Sequence, residues 1–194
     1  MLPKWKGRWA LLTVLFSFAC FSQDRIQSCA DCHGEDGNST DPQIPSIAGQ
    51  PKLFLENQLI LYREEVRKSS EMLPVVKGLK DSEIIKLAEH FSKLPAKGME
   101  SGTPETRLLQ RGSQRAKELR CGICHLADFR GQNQIPRLAG QREVYLAAEM
   151  RAYRDSKRTG GDTIMAAALY GVGDSDIKAL AHFLSRSTAR SPGR

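Results

Sequence analysis

Cysteine is scarce in this chain, and its placement is informative. Only five of the 194 residues are cysteine, and four of these lie in two short segments, CADCH at 29–33 and CGICH at 121–125. Aromatic residues make up only 7% of the chain, and no apolar run reaches the roughly 20 residues that a membrane-spanning helix needs. No segment alternates apolar and polar residues as a half-buried strand does. The chain is therefore expected to be helical, with its chemistry in the two cysteine pairs.

Acidic side chains are absent from the first 23 residues. Three basic residues there precede an uncharged run at 9–22, and this order is typical of a secretory signal. We predict residues 1–22 as a signal peptide, cleaved after Ala19 or Ser22, and hence export to the periplasm. An uncleaved anchor and a lipid-modified Cys20 are the alternatives.

Charge is unevenly distributed over the remaining chain. Residues 23–100 contain 10 basic and 13 acidic side chains, whereas residues 101–194 contain 16 basic and 9 acidic ones. The first segment is therefore net negative and the second net positive, and the electric dipole of such a chain can orient the molecule toward a charged partner. No run of Lys and Arg is interleaved with aromatic residues, so nucleic-acid binding is not expected.

The chain repeats itself. Several sequence blocks of the first half recur in the second half in the same order and at nearly the same spacing, which indicates two homologous domains. We predict these domains at 23–95 and 105–188. The segment between them, 96–104, is rich in Gly, Pro and Ser and is predicted as a linker. Four pairs of blocks recur at offsets between 91 and 93 residues: CADCH at 29 and CGICH at 121, IPSIAGQ at 44 and IPRLAGQ at 135, YREEVR at 62 and YRDSKR at 153, and the segments that begin at Met72 and Met165.

Each domain is predicted as a few small helices joined by irregular loops. A helix is expected to end in each CxxCH segment, and the second of these helices to begin near Thr103 and Pro104. A middle helix is expected from about Pro51 and a last helix from about Asp81, with counterparts in the second half. His90 and His182, the other two histidines, lie in the predicted last helices and are expected near the surface. A domain of about 80 residues with so much loop has a thin core, so a further group is expected to fill it.

Three chemistries use a CxxCH segment. Four thiolates can hold one zinc ion, but a shared site would fuse two complete units and leave the histidines unexplained. Disulfide exchange in a thioredoxin-like protein needs a βαβ pattern nearby, and none is present. Covalent heme attachment remains: two thiols add to the heme vinyl groups, and the following histidine becomes an axial iron ligand. Two such motifs in a tandem repeat favour heme.

The predicted heme sites use equivalent residues of the two halves. Met72 and Met165 lie 39 and 40 residues after His33 and His125, and Met/His ligation is a known arrangement in cytochromes c. The predicted tethers are Cys29, Cys32, Cys121 and Cys124, and the predicted iron ligands are His33, Met72, His125 and Met165.

The order CxxCH, IPxxAGQ, Tyr-Arg, Met and a final helix that starts Asp-Ser-acid-Ile resembles the class I cytochromes c. Two such units behind a signal peptide resemble the diheme cytochromes of the c4 type, over nearly all of residues 25–187. The resemblance implies an all-α fold of two tandem class I cytochrome c domains, each around a covalently bound heme c. It also implies that the carbonyls of Pro45 and Pro136 accept the axial histidine Nδ1–H, and that Arg67 and Arg158 donate to heme propionates.

The function that the resemblance implies is electron transfer rather than catalysis. The expected protein is a periplasmic single-electron carrier of a respiratory chain. Its expected acceptor is a terminal oxidase or another membrane-bound complex, and its expected donor is a quinol-oxidising complex or a dehydrogenase. Peripheral association with the membrane is compatible with this role. One alternative is a diheme subunit of a dehydrogenase such as a flavocytochrome c sulfide dehydrogenase. Another is a heme enzyme such as a peroxidase or a thiosulfate oxidiser.

Overall fold

The structure, a computed structural model, describes residues 17–98 and 102–189, with side chains from Asp24 onward. The predicted signal peptide lies mostly outside these ranges. The described chain is helical, without strands, as predicted. No helix in this part is long and apolar enough to cross a bilayer. The helices are α1 (Ser17–His33), α2 (Lys52–Arg63), α3 (Met72–Val76), α4 (Asp81–Lys93), α5 (Thr106–Glu118), α6 (Cys121–His125), α7 (Glu143–Arg154), α8 (Thr163–Leu169) and α9 (Asp174–Arg186).

The helix boundaries agree with the sequence in both halves, except at the start of α5. Helices α2 and α4 begin at the expected places, directly after Pro51 and at Asp81, and α9 begins at the equivalent Asp174. Helix α5 begins at Thr106, two residues after the expected first helical residue Pro104, and the extended Glu105 before it donates its N–H to His182 Nε2 at 3.1 Å. Helix α1 runs unbroken into CADCH, whereas Arg120, with φ +56°, separates α5 from the CGICH helix α6.

Two separate hydrophobic clusters form the core, and each is drawn from one repeat. The last helix of each half supplies the largest share, because Ile84, Leu87 and Phe91 recur at helical spacing along one face of α4. Helix α9 does the same in the second half. The first cluster contains Leu55, Val76, Leu79, Ile84, Leu87, Ala88 and Phe91, and the second contains Ala116, Leu146, Met150, Leu169, Val172, Ile177, Leu180, Ala181 and Leu184.

A neighbouring pair in α4 tests this core directly. Ile84 is 1% exposed and Ile85 is 46% exposed. Ile84→Ala is expected to lower the free energy of unfolding by about 2–5 kcal/mol, because it removes buried methyl groups and leaves a cavity. Ile85→Ala, its control, is expected to change stability by less than about 1 kcal/mol. Denaturant titration measures both, and equal losses would contradict this assignment of the core face.

A glycine brings the first and last long helices of the second half into close contact. A Cβ atom on Gly112 of α5 would lie 2.1 Å from the carbonyl oxygen of Ala179 in α9. Only glycine therefore permits this crossing. The close approach fixes the CGICH helix, which follows α5 directly, relative to the core.

The two halves meet through reciprocal loop contacts. Phe54 N–H in α2 donates to Asn133 O at 3.1 Å, and Tyr145 N–H in α7 donates to Pro42 O at 3.1 Å. These four residues are equivalent pairs of the repeat, 91 positions apart. The junction thus has approximate two-fold symmetry, and it satisfies N–H groups in the first turn of each middle helix, which have no partner within the helix.

Candidate heme attachment sites

Each cysteine pair places one thiol against the core and the other at the surface. Cys29 and Cys121 pack on the hydrophobic clusters of their halves, and Cys32 and Cys124 are exposed. None of these four cysteines forms a disulfide bond with another residue of the described chain. Burial raises the pKa of the Cys29 thiol to about 11, and burial also raises the pKa of Cys121. Because residues i and i+3 share a helix face, each pair offers two attachment points at the edge of a core.

Each histidine is held in the tautomer that metal binding requires. His33 Nδ1 lies 2.8 Å from Pro45 O, and His125 Nδ1 lies 2.8 Å from Pro136 O. A carbonyl only accepts, so the proton is on Nδ1 and the Nε2 lone pair is available for a metal. Both rings are buried, and this burial lowers the pKa of both imidazoles more than the carbonyl bonds raise it. They are therefore neutral at pH 7, as ligation demands.

The loops that carry the two prolines are tied to the last helices. Gly49 N–H donates to Phe91 O at 2.9 Å, and Gly140 N–H donates to Leu184 O at 3.1 Å. Both glycines have positive φ values, 63° and 67°, which strain other residues. The AGQ part of each motif is thus bonded to the last helix of its half, and this contact helps to keep the proline carbonyl within hydrogen-bonding distance of its histidine.

The two methionines lie 39 and 40 residues after the histidines in the sequence but pack on the same cores. Met72 and Met165 are half-buried and pack on the clusters that also contact Cys29 and Cys121. Met72 begins α3, whereas α8 begins two residues before Met165, after a cap by Asp162. This difference reflects the shorter first-half loop.

The donor atoms of each half fit a covalently bound heme with His/Met ligation. Free paired thiols, a neutral imidazole with Nε2 available and a thioether on the same core are the groups that such a site uses. A shared zinc site is not supported, because no three His, Cys, Asp or Glu side chains of the described chain converge as a metal site. The role of each residue stays a prediction.

Arg67 and Arg158 meet at the junction of the halves. Arg67 donates to Glu149 Oε1 at 3.2 Å and to Gln58 Oε1 at 2.6 Å. Arg158 pairs with the same carboxylate and donates to the same amide oxygen at 3.1 Å. The sequence analysis did not single out Gln58 and Glu149. They occupy equivalent positions of the repeat, 91 residues apart, and this equivalence could have identified them.

This junction cluster carries excess positive charge. Two buried guanidinium groups share one carboxylate, and each also lies over a tyrosine ring, Arg67 over Tyr62 at 4.5 Å and Arg158 over Tyr153 at 5.0 Å. Burial lowers the pKa of Arg158 to about 10. An added anion would balance such a site. Donation to heme propionates therefore stays a prediction, now for a site at the junction rather than for two separate ones.

The surface location expected for His182 was wrong. This residue is 5% exposed, its Nδ1 lies 3.2 Å from both carboxylate oxygens of Glu143, and its Nε2 accepts the Glu105 N–H. Both ring nitrogens are thus used within the second half. His90, in the last helix of the first half, is half-buried and packs edge-on against Phe91.

Comparison with known proteins identifies the family. A cytochrome c sequence model matches residues 109–188. Cytochrome c4 of Azotobacter vinelandii is 30% identical over 86% of this chain and 87% of its own. The thiosulfate dehydrogenase electron acceptor of Thiomonas intermedia is 28% identical over 81% of this chain and 77% of its own. The crystal structure of reduced cytochrome c4 from Pseudomonas stutzeri superposes with a TM-score of 0.78, at 28% identity, over 88% of this chain and 98% of that one. The chain therefore belongs to the cytochrome c4 family and is an electron-transfer protein with two covalently bound heme c groups.

Proposed function

We propose that this protein is a periplasmic carrier of single electrons between membrane-bound respiratory complexes. The observation that carries the proposal is the paired hydrogen bond from His33 to Pro45 and from His125 to Pro136, which leaves an Nε2 for iron in each half. Two equivalent redox centres in one chain suit a carrier that accepts at one heme and donates at the other. The N-terminal signal pattern at 1–22 supports export.

The assignment of residues follows from the two sites. The heme supplies a one-electron couple between ferric and ferrous iron. The cysteine pairs would tether the heme, a histidine and a methionine of each half would ligate its iron, and the hydrophobic clusters would exclude water. With both protein ligands bound, the iron would have no place for a substrate, so we assign electron transfer without bond formation at the iron. The tethers are Cys29, Cys32, Cys121 and Cys124, and the ligands are His33, Met72, His125 and Met165.

The surfaces at the two attachment segments differ in charge. In CADCH the exposed middle position is Asp31, whereas in CGICH it is Ile123, which is 69% exposed and follows the exposed Arg120. These differences agree in sign with the acidic first half and the basic second half. We therefore assign the second half to the accepting oxidase, as a partner with an acidic docking surface, and the first half to the electron donor, as a partner with a basic one.

A charge reversal tests this docking. Arg120→Glu is expected to slow oxidation of the reduced protein by membranes that contain a terminal oxidase, by roughly tenfold at low salt, and the loss should shrink as ionic strength rises. Lys178→Glu, on the exposed side of α9, makes the same charge change away from the attachment segment and is the control. Stopped-flow absorbance measures both. Equal rates for both variants at every salt concentration would contradict the docking assignment.

A second candidate is electron acceptance from a dehydrogenase that oxidises sulfur compounds. It is favoured by the relative from Thiomonas intermedia that is named a thiosulfate dehydrogenase electron acceptor, and it agrees with the dehydrogenase alternative drawn from the sequence. Mixing the oxidised protein separately with a thiosulfate dehydrogenase and with a quinol-oxidising complex distinguishes the two. The faster reduction identifies the donor.

A further inference from the structure

The two IPxxAGQ loops exchange their glutamines across the junction of the halves. Gln50 donates Nε2–H to Arg137 O at 3.0 Å, and its Oε1 accepts Arg137 N–H at 2.9 Å. Gln141 makes the same two bonds to Ser46, at 2.9 and 2.8 Å. All four residues are 3% exposed. Since Ser46 and Arg137 are equivalent positions, each half holds the loop of the other in the same way.

The peptide group that each glutamine binds is also the one that holds a histidine. The carbonyl of the Pro45–Ser46 peptide accepts His33 Nδ1–H at 2.8 Å, and its N–H donates to Gln141. The Pro136–Arg137 peptide joins His125 to Gln50 in the same way. One peptide therefore links each histidine of one half to a side chain of the other half.

Hydrogen bonds joined through one peptide strengthen each other. When the N–H is donated, the carbonyl of the same peptide becomes more negative and a better acceptor, by about 10–30% per bond. A stronger acceptor at Nδ1–H makes the imidazole more basic toward its metal. A more basic axial ligand stabilises ferric iron and lowers the reduction potential. Burial of both peptides keeps water from replacing the glutamines.

We propose that Gln50 and Gln141 are positioning residues that each lower the reduction potential of the heme in the opposite half. Gln50 acts on the second heme through the Pro136–Arg137 peptide, and Gln141 acts on the first through Pro45–Ser46. This inference rests on the ligation of iron by His33 and His125 proposed above. It makes the junction of the halves part of both redox sites rather than only a structural contact.

The test is a pair of single variants of the full two-heme protein. Gln50→Leu is expected to raise the potential of the second-half heme alone, and Gln141→Leu that of the first-half heme alone, in a spectroelectrochemical titration. NMR of the reduced protein with ¹⁵N-labelled histidine assigns the effect. The Nδ1–H resonance of His125 should move upfield only in Gln50→Leu, and that of His33 only in Gln141→Leu.

Two controls separate this tuning from simple loosening of the junction. Thr159→Val removes a bond from Lys68 N–H across the junction, at 3.1 Å, that touches neither peptide, and both potentials should stay unchanged. Gln50→Glu keeps an oxygen that accepts the Arg137 N–H in either protonation state, so the upfield shift of His125 should be absent. This variant also serves where the leucine variant fails to assemble.

The outcomes are distinct. A shift of both hemes in both leucine variants, or of neither, overturns the proposal. The ligand assignment is examined separately, because His33→Ala and His125→Ala should each abolish the low-spin spectrum of one heme. If they do so while the glutamine variants show no crossed shift, only the role of the glutamines is wrong. If both alanine variants keep two low-spin hemes, the ligand assignment fails as well.

Discussion

Replacing Met165 with alanine is expected to lower the reduction potential of one heme by tenths of a volt and to leave the other heme unchanged. Met165 is half-buried on the core that also contacts Cys121. A thioether favours ferrous iron, so its loss to water or to a nitrogen ligand favours ferric iron. The size follows from the range of about 0.8 V that axial ligands give to heme potentials. A redox titration followed at the heme absorbance should therefore show one unshifted and one lowered midpoint.

Two further variants complete the methionine experiment. Met72→Ala should lower the other midpoint, because Met72 is the equivalent residue of the first half. Met150→Leu is the control, since Met150 is 8% exposed in the second core and has no equivalent methionine in the repeat. Exchange of Met for Leu nearly conserves volume, so both midpoints should stay in place. Unchanged midpoints in the two alanine variants would remove the methionine ligands from the proposal.

The parts of the fold that the sequence predicts are those encoded locally or by repetition. Pro51 marks the start of α2, and Asp81 lies in the first turn of α4, because both residues favour helix N-termini for reasons that act within one turn. The cysteines, histidines and methionines of the predicted heme sites could be singled out because each recurs in the second half, at an offset of 92 or 93 residues. Glu105 shows the limit: this extended residue before α5 donates its N–H to His182, 77 residues away, a contact that no local pattern predicts.

The junction of the halves could not be predicted, because its contacts join residues 78 to 103 positions apart with no spacing pattern. The sequence repeat nevertheless indicated some of the residues that take part in the junction. Gln50 and Gln141 are the last residues of both IPxxAGQ copies, and identity at equivalent positions is what a reciprocal contact produces. The sequence also shows that the two copies differ at the position after the proline, where the first has Ser46 and the second has Arg137. What the sequence could not show is that Arg137 is buried, with its guanidinium donating to Ala48 O at 3.0 Å.

Burial of Arg137 also shows how duplicated sites become inequivalent. Both loops present the same peptide to a glutamine and a histidine, so the backbone geometry at the two prolines is nearly identical. Only the second loop adds a buried cation, whose pKa burial lowers to about 10. A positive charge at low dielectric favours the reduced state of a nearby redox centre. The two loops therefore share one architecture but differ in the charge that is buried beside it.

Removing one cysteine pair is expected to remove one heme and to unfold one core. In the double variant Cys121→Ala and Cys124→Ala, covalent heme should fall to half, because each pair tethers its own group. The second hydrophobic cluster would then lose the group that fills it, and a domain of about 80 residues has little core to spare. Heme stain after denaturing electrophoresis and intact mass measure the stoichiometry, and thermal unfolding should show an early transition for the second half.

The mirror-image variant and a third cysteine make this experiment decisive. Cys29→Ala with Cys32→Ala should likewise leave one covalent heme, now in the second half, and the absorbance that survives should titrate at the other midpoint. Cys20→Ala lies outside both motifs and should keep two hemes. Because thioether bonds survive denaturation, whereas iron ligation does not, two covalent hemes in either double variant would show that the cysteine pairs are not the tethers. Loss of both hemes in each variant would instead show that neither half takes up its heme without the other, as the reciprocal bonds between the loops allow.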